Sequence, residues 1–236
     1  MGRLRRLDRE LVRRNLATSR AHAARLITAG RVSVDGRVMP KPASQIDPAQ
    51  AVVVTDSPDE EYASRGGYKL AGALDILGEA GPVIKGKRCL DAGASTGGFT
   101  DVLLRRGAQS VIAVDVGYGQ LRWSLQQDPR VEVHDRTNIR YLDPQEIGEP
   151  AQLIVGDLSF ISLKLVIPAL VGASSLDAEY LLMVKPQFEI GREDLGAGGV
   201  VRDPEDHFHT VLAVIAAAKE NGLGLKQVAA SPLPGP

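Results

Sequence analysis

Aromatic side chains are scarce in this chain. They make up 4% of its 236 residues, so any core must be assembled chiefly from Ala, Val, Leu and Ile. Cys89 is the only cysteine, which excludes an internal disulfide and any cysteine-clustered metal site. The four histidines, His22, His134, His207 and His209, show no metal spacing supported by carboxylates, and no metal is expected. Long apolar runs are missing as well: the strongest, Val211 to Ala218, is too short to cross a bilayer. The opening Met1-Gly2-Arg3-Leu4-Arg5-Arg6 is basic with no hydrophobic stretch behind it, so it does not read as a signal peptide. The expectation is a soluble, cytoplasmic protein with no membrane partner. With 44% apolar and 24% charged residues, long-chain disorder and fibrous repeats are excluded too.

What is present is unevenly placed. The formal charge of −1 hides an excess of 11 Lys and Arg over 3 Asp and Glu in residues 1–41, a local charge of +8. Basic character gathered at one end is the electrostatic footprint of a polyanionic partner. Within residues 1–60 the pattern is two short helices and a small hairpin. Asp8 is placed to cap a helix with Leu11, Val12 and Leu16 inward, and Ser19 to cap a second carrying Ala23, Leu26 and Ile27. Gly30 supplies the stop. Val32 and Val34 then alternate with polar residues, Asp35-Gly36 signals a tight hairpin, Val38 begins the return, and another strand fits Ala51 to Val54. Arg6, Arg9 and Arg13 recur at helical spacing, with Arg20 and Arg25 on the next helix, which would bring guanidinium groups to one surface. The candidate nucleic-acid contacts are Arg5, Arg6, Arg13, Arg14, Arg20 and Arg25.

The run from Ser19-Arg20-Ala21 to Val34-Asp35-Gly36 resembles the small RNA-binding module first described in a small-subunit ribosomal protein, the S-four fold. That resemblance implies RNA rather than DNA, a distinction composition alone does not make. Phosphate contacts would dominate its affinity.

Thr55 to Tyr62 is acidic and polar and reads as a linker. From residue 61 to 236, short β-type runs alternate with helical patterns. The runs are Arg88–Asp91, Val111–Val116, Val131–Asp135, Leu153–Asp157, Tyr180–Lys185 and Leu225–Ala230, with helices such as Gly98–Arg106 and His207–Glu220 between them. Such alternation predicts a doubly wound, Rossmann-like α/β sheet that binds ligands outside the carboxyl ends of its strands.

The first of those strands runs into Asp91-Ala92-Gly93-Ala94-Ser95-Thr96-Gly97-Gly98-Phe99. Small residues let this backbone turn sharply and approach a ligand, and a helix N-terminus follows. Its glycines do not fall at the positions of a dinucleotide fingerprint, which disfavours a pyrophosphate and favours S-adenosylmethionine. Asp91, Gly93, Ala94, Ser95, Thr96 and Gly97 are the candidate cofactor loop. Asp115, ending the second strand, is placed to accept from ribose hydroxyls, or else caps the turn before Gly117-Tyr118-Gly119. Asp135 and Asn138, after the third strand, are candidate adenine-side contacts.

Lysine is rare, 8 residues among 28 basic ones, and two stand at telling places. Lys69 lies in Ser64-Arg65-Gly66-Gly67-Tyr68-Lys69-Leu70, ahead of the sheet, and Lys185 ends the fifth run in Met183-Val184-Lys185-Pro186-Gln187-Phe188. Asp157 ends the neighbouring fourth run in Gly156-Asp157-Leu158-Ser159-Phe160. A lysine at the end of an apolar strand is costly unless paired or functional.

Together these residues resemble the TlyA-type ribosomal RNA 2′-O-methyltransferases, some of them named hemolysins, and more broadly the FtsJ-like ribose methyltransferases. The likeness runs from about Arg5 to Pro236 through the 64–70 run, the 91–99 loop, Asp115 to Gln120, Asp157 to Phe160 and Lys185 to Glu189. It implies methyl transfer to ribosomal RNA or ribosomal subunits and a Lys-Asp-Lys-Glu catalytic set. Three members fall on Lys69, Asp157 and Lys185: Lys185 as base, Lys69 as a like charge favouring its neutral amine, and Asp157 orienting it. The family pattern continues past Ser231 to Pro236 into a final strand bearing the glutamate, so the chain reads as truncated, with six strands where this fold has seven. The sixth then lacks its partner. Glu189, close after Lys185, is a weak substitute.

Three alternatives are weighed at this level, membrane lysis the weakest. Base methylation is disfavoured because Asp157-Leu158-Ser159-Phe160 lacks the Pro-rich aromatic motif used to hold a flipped base. A non-catalytic RNA-binding or ribosome-assembly protein would draw its support from the missing glutamate. Membrane lysis finds no amphipathic stretch or anchor. Gly191 to Arg202, rich in glycine, reads as a substrate loop or a mobile surface loop.

Overall fold

The computed structural model describes residues 4–14, 16–17, 20–55, 62–191 and 200–233. The expected Ser19 cap, residues 56–61 of the expected linker, residues 192–199 of the glycine-rich stretch and the side chain of Arg25 lie outside the described residues. The chain divides into two compact units, Met1–Glu61 and Tyr62–Pro236.

In the first unit, β1 (Arg5–Arg6) pairs antiparallel with β4 (Gln45–Ile46). Helices α1 (Leu7–Arg13) and α2 (Arg20–Thr28) follow β1 in the chain. A three-stranded antiparallel sheet has the order β3 (Arg37–Val38), β2 (Val32–Val34), β5 (Val52–Val54). Asp35 and Gly36 both take positive φ, +47° and +80°, the signature of a tight turn whose twist matches the flanking strands. Leu7, Leu11, Ala23, Leu26, Ile27, Val32, Val34 and Ile46 form the core, with Val12 and Leu16 packed at its margin. The expected Asp8 cap is corrected here. Helix α1 starts at Leu7, two residues earlier than that cap implies, because Leu7 and Leu11 stack one turn apart into the core, and Asp8 lies inside its first turn. Its carboxylate is held by Arg6 and Arg20 instead.

The second unit is built on a five-stranded parallel sheet. Its order is β10 (Ser174–Leu182), β9 (Ala151–Gly156), β6 (Arg88–Ala92), β7 (Ser110–Val114), β8 (Val131–His134). Alternate residues of each strand feed two cores. Cys89, Val111, Ala113, Leu153 and Val155 pack with α3 (Gly66–Leu77) and α4 (Gly98–Arg105). Leu90, Ile112, Val114 and Ile154 pack with α6 (Leu163–Gly172) and α7 (Pro204–Glu220). Burial on both faces is why these strands read as nearly unbroken apolar runs. Between β6 and β9 the chain order reverses, so their following loops diverge and open a crevice at the carboxyl edge.

One expected strand is corrected: residues 223–230 form no strand, and among the described residues β10 has a ladder neighbour on one side only. A strand exists through its ladder, and Leu225 and Val228 pair with none among the described residues. The fifth strand also begins earlier than its sequence pattern, at Ser174, with a register shift before Glu179, and stops at Leu182. Lys185 therefore follows the strand in extended backbone.

Candidate active site

Two helix beginnings meet at the crevice because neither carries a side chain at the contact. A Cβ on Gly98, at the start of α4, would stand 2.4 Å from Ser64 Oγ and 2.6 Å from the Gly67 nitrogen. This close approach sets the first turn of α3, and with it Lys69, beside the loop that follows β6. Gly97 in that loop takes a φ of +95°, open to glycine without strain, and turns the chain into α4.

Two strand ends and α3 then bring the predicted catalytic residues together. Lys69 Nζ donates to Asp157 Oδ2 at 2.7 Å, and Lys185 Nζ lies 2.7 Å from Asp157 Oδ1. Lys185 also donates to Ser159 Oγ at 2.9 Å. Burial alone would raise the Asp157 carboxyl. The hydrogen bonds and charges of Lys185 and Lys69 outweigh it and hold the group below the usual carboxylate range. A cavity of about 470 Å³ is lined by all three residues together with Arg65, Gly93, Ala94, Ser95, Phe99, Ser159 and Leu233.

The loop candidates surround this cavity to different degrees. Gly93, Ala94 and Ser95 line it, while Asp91 lies beneath it in β6, fully buried. Asp91 Oδ2 accepts from Thr100 Oγ1 at 2.7 Å, whereas Oδ1 has no partner among the described residues. Burial pushes its carboxyl up to about 7. Asp115 accepts from the Ser95 amide at 2.8 Å and the Gly117 amide at 2.7 Å, so it fastens two loops at once. Asp135 accepts from the Gly119 amide, and Asn138 caps the short turn Ile139–Tyr141. The main chain at Thr96 accepts from the Arg122 amide.

Glu189, the substitute considered for a fourth catalytic residue, faces elsewhere. Its Oε1 accepts from the Leu163 amide at 2.6 Å and its Oε2 from Ser162 Oγ, at the start of α6. The unfilled amides of that helix end claim the carboxylate.

The residues that motif reasoning left out are Ser159, which steadies Lys185, and Leu233, which lines the cavity. Serine in a loop and leucine in a tail carry no pattern of their own. A third is Phe160, 91% exposed with a φ of +63°, its ring 5.2 Å from that of Phe188. A bulky residue held in left-handed backbone at a site's rim is the kind of strain that function retains. Along the same edge, Arg136 stacks on exposed Tyr118 at 4.2 Å and Arg140 on exposed Tyr141 at 5.3 Å.

In the first unit the predicted arginines gather around two buried acids. Glu10, whose side chain is 0% exposed, receives Arg13 and Arg14, with Arg5 at 3.7 Å, and these guanidiniums hold its carboxyl down to about 2. Arg14 also donates to the carbonyls of Pro48 and Gln50, which ties it into the unit.

These features define a site of two lysines on one carboxylate at the carboxyl edge of a parallel sheet, in a chain that also carries a small basic unit. The chain belongs to the FtsJ-like methyltransferase family, whose model matches residues 62–236, and residues 5–52 match the S4 domain. It is 54% identical, over all of its length and 87% of the relative's, to the 16S/23S rRNA (cytidine-2′-O)-methyltransferase TlyA of Mycobacterium tuberculosis strain H37Rv. It is 37% identical to Hemolysin A of Brachyspira hyodysenteriae, over 84% of this chain and 81% of that one. Among solved structures, a hemolysin-named protein from Streptococcus thermophilus superposes with a TM-score of 0.72 at 37% identity, covering 100% of this chain and 85% of that one.

Proposed function

We propose that this protein transfers a methyl group from S-adenosylmethionine to a ribose 2′-hydroxyl of ribosomal RNA, in the cytoplasm where ribosomes are found. The observation that carries the reading is one carboxylate, Asp157, gripped at 2.7 Å by two lysines at the mouth of a small-residue loop. The residues fit the cofactor. Asp91 has a buried oxygen that lacks a partner among the described residues, and a cationic group is what would return its carboxyl toward the ordinary range. The main chain of Gly93 to Gly97 would hold the amino-acid part. Asp115 would accept from the ribose hydroxyls on the acceptor capacity its two amide partners leave, with Asp135 and Asn138 on the adenine side. When bound, the cofactor supplies an electrophilic methyl on a positively charged sulfur.

This chain's own residues supply the rest. A ribose hydroxyl is a poor nucleophile and needs its proton removed as it attacks. Asp157, 2.7 Å away, and Ser159, which accepts from it, hold the Lys185 amine in place, and the lone pair of the neutral amine takes the hydroxyl proton. Lys69, held on the other oxygen of Asp157, supplies positive charge for the developing alkoxide. Phe160 and Phe188 offer a ring surface beside the cavity, and the Tyr118–Arg136 and Tyr141–Arg140 pairs offer stacking and charge to unpaired RNA. Arg5, Arg6, Arg13 and Arg20 contact phosphates. Mass spectrometry of ribosomal RNA incubated with protein and cofactor tests the reading. A methyl on a ribose is expected, reduced about 10³-fold by Lys185→Ala. A methyl on a base, or none, overturns it.

A further inference from the structure

We infer that Ser231-Pro232-Leu233 is a positioning strap for the lysine pair, seated on Gly72 of α3, and that Gly72 and Pro232 act on the reaction through this seat. The inference rests on the methyl-transfer reading of the cavity. Gly72 follows Lys69 by three residues, so the two share a side of the helix. A Cβ at position 72 would stand 2.6 Å from Pro232 Cγ and 2.9 Å from Pro232 Cβ. The proline ring therefore lies directly on bare helix backbone, where any other residue forces it away. Ser231 tightens the segment into a turn: its hydroxyl donates to the Leu233 carbonyl at 2.8 Å and accepts from the Leu233 amide at 3.3 Å. Leu233 lines the cavity that holds Lys69, Asp157 and Lys185.

The stretch leading to this turn forms no strand, and Lys226 anchors it by donating to Glu179 of β10 at 2.6 Å. The seat on Gly72 is thus what places Leu233. Two consequences meet at the amines. Helix α3 is gripped at both Gly67 and Gly72, on either side of Lys69, which fixes the Lys69 backbone along the helix. Leu233 adds an apolar side chain to a cavity that Ala94 and Phe99 also line, and so keeps water from one side of the attacking hydroxyl.

The test uses the full chain in four forms: unaltered, Gly72→Ala, Pro232→Ala and the double variant. Alanine elsewhere inside a helix is more stabilising than glycine, so a general helix defect is not built into this change. Gly72→Ala is expected to lower kcat about tenfold, with cofactor Kd changed less than about twofold. Hydrogen exchange at the Ser231 and Leu233 amides rises with it. Adding Pro232→Ala removes the nearer clashing carbon, Cγ, leaves only the 2.9 Å approach of Cβ, and recovers at least about threefold of the missing rate, a rescue that a purely local helix defect would not show. Leu233→Ala, which introduces no clash, lowers kcat in the same direction. Unchanged exchange at those two amides in Gly72→Ala, unchanged kcat, or absence of rescue overturns the strap. If the unaltered protein transfers no methyl while exchange still rises in Gly72→Ala, the methyl-transfer reading fails and the positioning role falls with it, leaving only the seat.

Discussion

In the amino-terminal unit, Asp8 and Glu10 lie buried while most of the arginines that pair with them reach outward: the Arg13 and Arg20 side chains are 51% and 56% exposed, and Arg14, at 21%, turns inward. In the second unit, Asp157 pairs with Lys69 and Lys185, whose side chains are only 27% and 16% exposed. In the proposed function the same acid–base contact serves two ends. Arginine keeps its charge at any working pH and offers a rigid fork, so a buried acid beneath it aims a permanent cation at a phosphate. Lysine is a compact amine that gives and takes a proton, so an acid beneath it sets the stage for proton transfer.

The sharpest way to break that comparison is to exchange the two cations. Lys185→Arg keeps the charge and loses the exchangeable proton, and methyl transfer to ribosomal RNA is expected to fall about 10³-fold while RNA affinity stays within about twofold. The reciprocal Arg6→Lys is expected to weaken RNA binding by less than about threefold and leave kcat unaltered. Equal losses from both exchanges would dissolve the distinction.

A middle-sized effect separates the units by salt. In filter-binding titrations over a range of salt, Arg5→Ala with Arg20→Ala is expected to reduce the slope of log affinity against log salt by about 2, one for each phosphate no longer neutralised. Lys69→Ala is expected to leave that slope in place. A slope that ignores both arginines would remove the module from RNA recognition.

A separate contrast is Asp91, a buried acid with no cation partner among the described residues. Its carboxyl stands at about 7 in the folded chain against an ordinary 3.8, so between about pH 4 and 7 the folded state holds more protons than the unfolded one. Stability from this group is present below pH 4 and is lost as pH rises toward 7, by up to about 1.4 kcal/mol per pH unit. Thermal melts of cofactor-free Asp91→Asn are expected to lose that decline. An identical pH profile in the two proteins would show that Asp91 is ionised throughout.

Much of this architecture was legible in the chain because both parts obey strong local rules. Strands covered on two faces print continuous runs such as Leu153-Ile154-Val155, and Asp35-Gly36 prints its turn. Asp157 and Lys185 were placed together because adjacent parallel strands end side by side. What escaped was whatever depends on a distant partner. Leu225 to Ala230 has the residues of a strand and no ladder, and the two-residue pairing of Arg5-Arg6 with Gln45-Ile46 has a ladder without the residues. Asp8 has the chemistry of a cap, but core packing at Leu7 moved the helix start past it. Asp115 was read toward a ligand or a turn, and it also reaches across to the Ser95 amide, a contact no spacing encodes.

Glu189 carries one more lesson. By closing on Ser162 and Leu163, it bolts the segment after Lys185 to the segment after Asp157. A chimera that imported residues 157–163 from a relative without residues 185–189 would inherit half a joint. Grafts between such enzymes should treat the two segments as a single cassette.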